Sequence, residues 1–178
     1  MPRIHPVNRE SATSPVAETL DAVKSKLGRV PNILGTLANS NAALQAYLGL
    51  SDILGKGRLS PKQREAIALT IAQANGCKYC LSAHTAIGQS VGLSHPEILA
   101  ARSGSSDDAQ TNAIIKLTAK IVTERGWLID DDLAAARKQG VDDGLIVEIV
   151  ANVAHNTLTN YTNHIAETVV DFPIAQDL

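Results

Sequence analysis

The two cysteines of the chain stand as Cys77-Lys78-Tyr79-Cys80, with His84 four residues beyond the second and Glu65 upstream of the first. Two thiols, an imidazole and a carboxylate are the inventory of a redox centre, with sulfur to be oxidised and groups beside it to carry protons. On a helix, about 100° of rotation per residue would bring Cys77, Cys80 and His84 within roughly 60° of one another on one face. The i, i+3 spacing places two Cα atoms within disulfide reach, so the pair can close and reopen. At the start of a helix, unpaired amides and the positive end of the dipole favour a thiolate. His84, one turn beyond Cys80, can accept the thiol proton or return it to a leaving group. Glu65 has two readings: a half-buried proton carrier, or a solvated acid in the first turn of its helix.

The same side chains allow other chemistry. Cys77, Cys80 and His84 are all zinc ligands, and a structural zinc site would need a fourth, from His155 or His164. No second Cys/His cluster with finger spacing exists, and Leu81 directly after Cys80 excludes covalent haem attachment. Two buried cysteines acting as small apolar residues are the bland alternative. The redox reading requires neither metal nor organic cofactor.

The elements that must position these groups read as helices. With 44% hydrophobic but 3% aromatic residues, the core has to be filled by Ala, Leu, Ile and Val, which suits closely packed helices. Ser60-Pro61-Lys62-Gln63 combines an N-cap, a proline in the first turn and a capping-box Gln, and Ser94-His95-Pro96-Glu97 repeats the logic. Asp107-Asp108 and Asp130-Asp131-Asp132 put negative charge where first turns favour it. Asn75 or Gly76 should end the Glu65 helix, leaving Cys77 at or near the start of the next. The expected fold is all-α with about eight to ten helices. Residues 1–15, with Pro2, Pro6 and Pro15, are expected as an extended arm docked on a neighbouring subunit, and residues 16–178 as a single domain.

A formal charge of -2 with no basic stripe excludes nucleic acid as a natural partner. The absence of a signal-like or bilayer-spanning apolar run leads to the expectation of a cytoplasmic protein without membrane contact. In the C-terminal region Asn152, His155, Asn156, Asn160, Asn163 and His164 recur at helical spacings. This stripe either lines the substrate pocket above the cysteines or satisfies the backbone at a helix break. His5 and His95 read as ordinary surface or cap residues.

Glu65 followed by Cys77-x-x-Cys80-x-x-x-His84 resembles the alkylhydroperoxidase AhpD-like group of the carboxymuconolactone decarboxylase superfamily, over a core of roughly residues 40 to 100. Val30-Pro31-Asn32-Ile33-Leu34, Asn160-Tyr161-Thr162-Asn163-His164 and Asp171-Phe172-Pro173 resemble the peroxidase-related branch of that group. The resemblance implies an AhpD-like helical domain whose subunits associate as trimers or hexamers. It implies Cys80 as the peroxidatic thiol, Cys77 as the resolving one, and His84 and Glu65 as the proton relay. The substrate would be an organic hydroperoxide or hydrogen peroxide, and the reductant a dithiol donor such as a thioredoxin-like or lipoyl-bearing protein. One position departs from the pattern: the family carries His directly before the second cysteine, and here Tyr79 stands there. A phenol with pKa about 10 can orient a hydrogen bond but does not shuttle protons at neutral pH. Tyr79, His155, Asn160 and His164 are therefore candidates for the substrate pocket. A thiol-disulfide oxidoreductase or redox sensor with little peroxidase activity is the first alternative. A decarboxylase-like enzyme and a zinc-binding module are the others.

Overall fold

Helix α4 (Pro61–Ala74) runs through the middle of the molecule and is buried from Ala66 to Ala72, because its apolar residues occupy every face rather than one stripe. The computed structural model describes residues 1–178 and contains nine α-helices, one turn of 3-10 helix at Arg9–Ser11, and no strand. The remaining helices are α1 (Ser14–Leu27), α2 (Asn32–Leu37), α3 (Asn41–Leu54), α5 (Lys78–Ser90), α6 (His95–Arg102), α7 (Ala109–Thr123), α8 (Asp130–Lys138) and α9 (Asp143–Ala166). Helices α5, α6, α7 and α9 all pack on α4. One apolar cluster joins α1, α2 and α3 to the start of α5 and contains both cysteines. A second joins α4 to α7, α8 and α9 through Ile67, Ile71, Ile114 and Ile149.

Local signals set the helix ends. Ser60 and Gln63 form a reciprocal capping box at the start of α4, and Ser94 and Glu97 form another at α6. Asp108 and Asp142 cap α7 and α9 by accepting from the N–H groups of Thr111 and Leu145. At the end of α4, Gly76 takes a φ of 64°, which lets the Cys77 N–H reach back 2.9 Å to the Ala72 carbonyl and turns the chain directly into α5.

The N-terminal segment packs against its own chain. The Arg3 N–H donates to the Ala166 carbonyl at 2.7 Å, capping the end of α9, and the Val7 N–H donates to the Gly35 carbonyl at 2.8 Å. Pro6 lies so close to α2 that a Cβ on Gly35 would meet the proline Cβ at 2.8 Å. Pro15 sits in the first turn of α1, where its fixed φ suits a helix start, so α1 begins at Ser14. No helix is long and apolar enough to cross a membrane. Along α9, Val147, Val150, Ala154, Leu158, Tyr161 and Ile165 remain exposed at three- and four-residue steps.

Because α4 carries Glu65 and ends at the cysteines, its cap has leverage on the site. Ser60→Ala should lower stability by about 1 kcal/mol, read as a shifted denaturation midpoint with unchanged slope.

Candidate active site

Cys77 occupies the N-cap of α5, a position ordinarily held by Ser, Thr, Asp or Asn, and its Sγ accepts from the Cys80 N–H at 3.4 Å. The two sulfurs lie 2.8 Å apart as free thiols. Cys77 therefore stands just outside the helix, one step from the expected stack of three side chains, and the cap geometry itself turns its sulfur over Cys80. At this separation one proton serves both sulfurs. The Cys80 thiol donates to Cys77, which with the Cys80 N–H outweighs the penalty of burial, and His164 adds to the effect. The Cys77 thiol is thereby pulled down to about 6. Cys80 is pushed the other way, by donation to Cys77 first, then by burial and the neighbouring thiolate charge. Asn163 Nδ2, 3.3 Å from Cys80 Sγ, and Thr159 partly oppose that rise.

The two sulfurs face different surroundings. Cys80 lines a cavity of about 110 Å³ together with His84, Tyr47, Tyr79, Asn163 and Phe172, whereas Cys77 does not reach it. His84 and Glu65 meet across α5 and α4, with Nδ1 and Oε2 2.8 Å apart and both side chains mostly buried. Burial opposes the imidazolium, but the charge of Glu65 and its hydrogen bond prevail and raise the His84 pKa. Glu65 is thus a partner buried with its histidine and not a solvated first-turn acid. His84 makes no hydrogen bond to either sulfur and instead faces the cavity that Cys80 lines.

Of the four pocket candidates from the sequence, Tyr79 alone lines the cavity. The turn of α9 decides the others. Thr159 and Asn163, one turn apart, point into the cavity, so Asn160 is rotated away, fully buried, and accepts from Asn75 Nδ2 at 2.9 Å. His155 lies behind the cavity wall and stacks on Tyr47, rings 4.5 Å apart and 10° from parallel. Burial, assisted by the charge of His84, pushes it down to about 4. His164 is exposed on the Cys77 side. No group of three or more His, Cys, Asp or Glu side chains is arranged to hold a metal ion.

Tyr47, Thr159 and Phe172 are among the lining residues that the motifs do not single out as site residues. Composition does carry a signal for two of them: in a chain with three tyrosines and one phenylalanine, two tyrosines and that phenylalanine line one small cavity. Burial first, then the charges of Cys80 and Glu65, push the Tyr47 hydroxyl up to about 12, which keeps it protonated.

The family model for carboxymuconolactone decarboxylases matches residues 41–119, a span that contains α4, the cysteine pair and His84. This central stretch of the chain resembles the carboxymuconolactone decarboxylase family. Its fold is similar to that of a peroxidase-related protein with an alkylhydroperoxidase AhpD core from Ralstonia eutropha JMP134, with a TM-score of 0.86 and 23% identity over 96% of this chain and 92% of that one. A peroxidase-related protein from Silicibacter sp. TM1040 is similar at a TM-score of 0.82 and 22% identity, covering 94% of this chain and 92% of that one. The debrominase Bmp8, in its complex with 2,3,4-tribromopyrrole, is similar at 0.79 and 20% identity, over 95% of this chain and 91% of that one. At these identities the likeness establishes the AhpD-like fold. No curated protein matches the chain in sequence.

The unequal sulfurs have a direct spectroscopic consequence. The ultraviolet absorbance of reduced protein should show one thiolate per chain forming with a midpoint near 6, and the second only far above the ordinary cysteine range. His164→Ala should move the first midpoint upward, and Cys77→Ser should remove it.

Proposed function

We propose that the protein is a thiol-dependent hydroperoxide reductase. The observation that carries this reading is the placement of Cys80 Sγ on the cavity wall, 2.8 Å from Cys77 Sγ and with His84 lining the same cavity. A peroxide entering the cavity meets Cys80. The Cys80 proton passes to the adjacent Cys77 thiolate, and the Cys80 thiolate attacks one peroxide oxygen. An S–O bond forms as the O–O bond breaks, giving a sulfenic acid and an alkoxide, which takes a proton from the Glu65–His84 pair and leaves as alcohol. With hydrogen peroxide the leaving group departs as water.

Cys77, whose low pKa lets it give up its proton on the side of His164, then attacks the sulfenic sulfur as a thiolate. The S–S bond forms and the sulfenic oxygen leaves as water. Two electrons have passed from the thiols to the peroxide. A dithiol donor, such as a thioredoxin-like or lipoyl-bearing protein, restores the pair by exchange. The exposed His164 beside Cys77 marks the side from which that donor would approach, away from the peroxide cavity.

A second reading, thiol-disulfide exchange with little peroxide turnover, draws support from Tyr79. Its hydroxyl is committed to two hydrogen bonds and its pKa is raised by burial, so it offers no third proton carrier where the family pattern has His. The rate of peroxide consumption by reduced protein separates the two readings.

Cys80→Ser should abolish peroxide consumption. Cys77→Ser should permit one turnover per chain and stall as a sulfenate that a trapping reagent captures, visible by mass spectrometry. Glu65→Gln should slow consumption by about a hundredfold while leaving the fold intact. Persistence of turnover in Cys80→Ser would refute the assignment of the attacking sulfur.

We also propose that the chains associate through the exposed apolar side of α9. Val147, Val150, Ala154, Leu158, Tyr161 and Ile165 form a seam at coiled-coil-like steps. Light scattering should report a trimer or hexamer, and Leu158→Glu combined with Ile165→Glu should shift it to a smaller species.

A further inference from the structure

The last residues of the chain, beyond α9, form no helix or strand, yet they are fastened at four places. Asn32 Nδ2 donates to the Val169 carbonyl at 2.9 Å, the Ala175 N–H to Ser82 Oγ at 3.1 Å, and Arg102 Nη1 to the Gln176 carbonyl at 2.8 Å. The fourth fastening is the densest. One oxygen of Asp171 accepts from Tyr79 Oη at 2.7 Å, and the other accepts from Arg29 Nη1 at 2.6 Å and from the Asn32 N–H at 3.1 Å. Tyr79 Oη in turn accepts from the Ile33 N–H at 3.2 Å. Charge-assisted bonds of this kind to a half-buried carboxylate hold geometry well.

The residue after this carboxylate is Phe172, and its ring forms part of the cavity wall. It meets the Tyr79 ring edge to face at 5.7 Å and 85°, with the Arg29 guanidinium 4.3 Å from its centroid on the same ring system. Tyr79 thereby touches both ends of the device: its hydroxyl holds Asp171 and its ring holds Phe172. The space beside Cys80, about 110 Å³ and open to solvent on one side, is smaller than the roughly 150 Å³ apolar cavity that accepts a benzene ring, so Phe172 crowds whatever approaches the sulfur.

We infer that the clasp of Tyr79, Arg29 and Asn32 on Asp171 fixes Phe172 as a steric wall beside Cys80 and restricts the site to small hydroperoxides, a selection that rests on the peroxidase reading. Hydrogen peroxide and a compact alkyl hydroperoxide fit beside the sulfur. A peroxide bearing an aromatic ring or a long chain reaches it only after Phe172 moves. Tyr79 is a positioning residue in this scheme, in place of a proton carrier.

The test compares tert-butyl hydroperoxide with cumene hydroperoxide on reduced protein, as the ratio of their kcat/KM values. Phe172→Ala and Asp171→Ala should each raise the cumene to tert-butyl ratio by about tenfold, and Phe172→Leu, which retains bulk, should keep it near the starting value. A parallel arm needs no peroxide: the rate of Cys80 alkylation by N-phenylmaleimide relative to iodoacetamide, read by peptide mass spectrometry. The same variants should raise that ratio by a similar factor. If peroxide is not consumed but the alkylation ratio moves, the wall stands and only the peroxidase reading falls. Should either alanine variant lose its helical circular dichroism, Tyr79→Phe, which keeps the ring and removes the hydroxyl, decides in the same direction. Ratios unmoved in folded Phe172→Ala, Asp171→Ala and Tyr79→Phe would overturn the inference.

Discussion

One negative charge held between two sulfurs at the start of a helix governs the rest of the site. Cys77 fills an N-cap slot, where the Cys80 N–H donating to its Sγ and the helix dipole favour an anion, and the thiol of Cys80 completes its hydrogen bonding. This geometry exists because Gly76 accepts a left-handed backbone and so lets α5 begin within a few residues of the end of α4. The consequence is a division of labour. The sulfur that holds the charge faces away from the cavity, and the sulfur that faces the cavity holds the proton.

Helix α4 ties this charge to the Glu65–His84 pair. The helix is buried along most of its length, so Glu65 near its start and the turn at its end are held in fixed relation. Glu65 pairs with His84 across the helix interface, and burial makes the pair electrostatically strong, since solvent screening is weak there. Behind it, His155 is neutral and stacked on Tyr47, adding an aromatic wall without a competing charge. A carboxylate–imidazole pair, a thiol pair and a cavity thus converge around one buried helix.

Tyr79 shows how a change of residue type alters what a position does. Where the family pattern places a group that carries protons, this chain places a longer, flatter side chain whose hydroxyl both donates and accepts. Burial and the Asp171 carboxylate raise its pKa, which removes it from acid-base work. Its reach instead connects three stretches that are far apart in the chain: α2 through Ile33, α5 through its own backbone, and the C-terminal segment through Asp171. Val30-Pro31-Asn32 and Asp171-Phe172-Pro173, separate in sequence, meet at this residue.

Much of the fold was legible because its signals are local. A capping box spans four residues and a left-handed glycine acts on its own turn, so Ser60, Ser94, Asp108 and Gly76 mark helix ends without knowledge of anything distant. The closeness of Cys77 and Cys80 followed from their spacing for the same reason. Which faces of α9 would meet the cysteines was not legible. Asn160 and Asn163 are equally polar in the sequence, and only the rotation of α9 against α4 and α5 sends Asn163 to Cys80 and Asn160 to Asn75. The sequence alone determined an all-helical chain with a thiol pair at a helix start, since both depend on hydrogen bonds within a turn or two. Tertiary packing decided which sulfur faces the cavity, that Glu65 is paired, and that Phe172 closes the wall, since each depends on contacts between segments whose order along the chain carries no information about their distance in space.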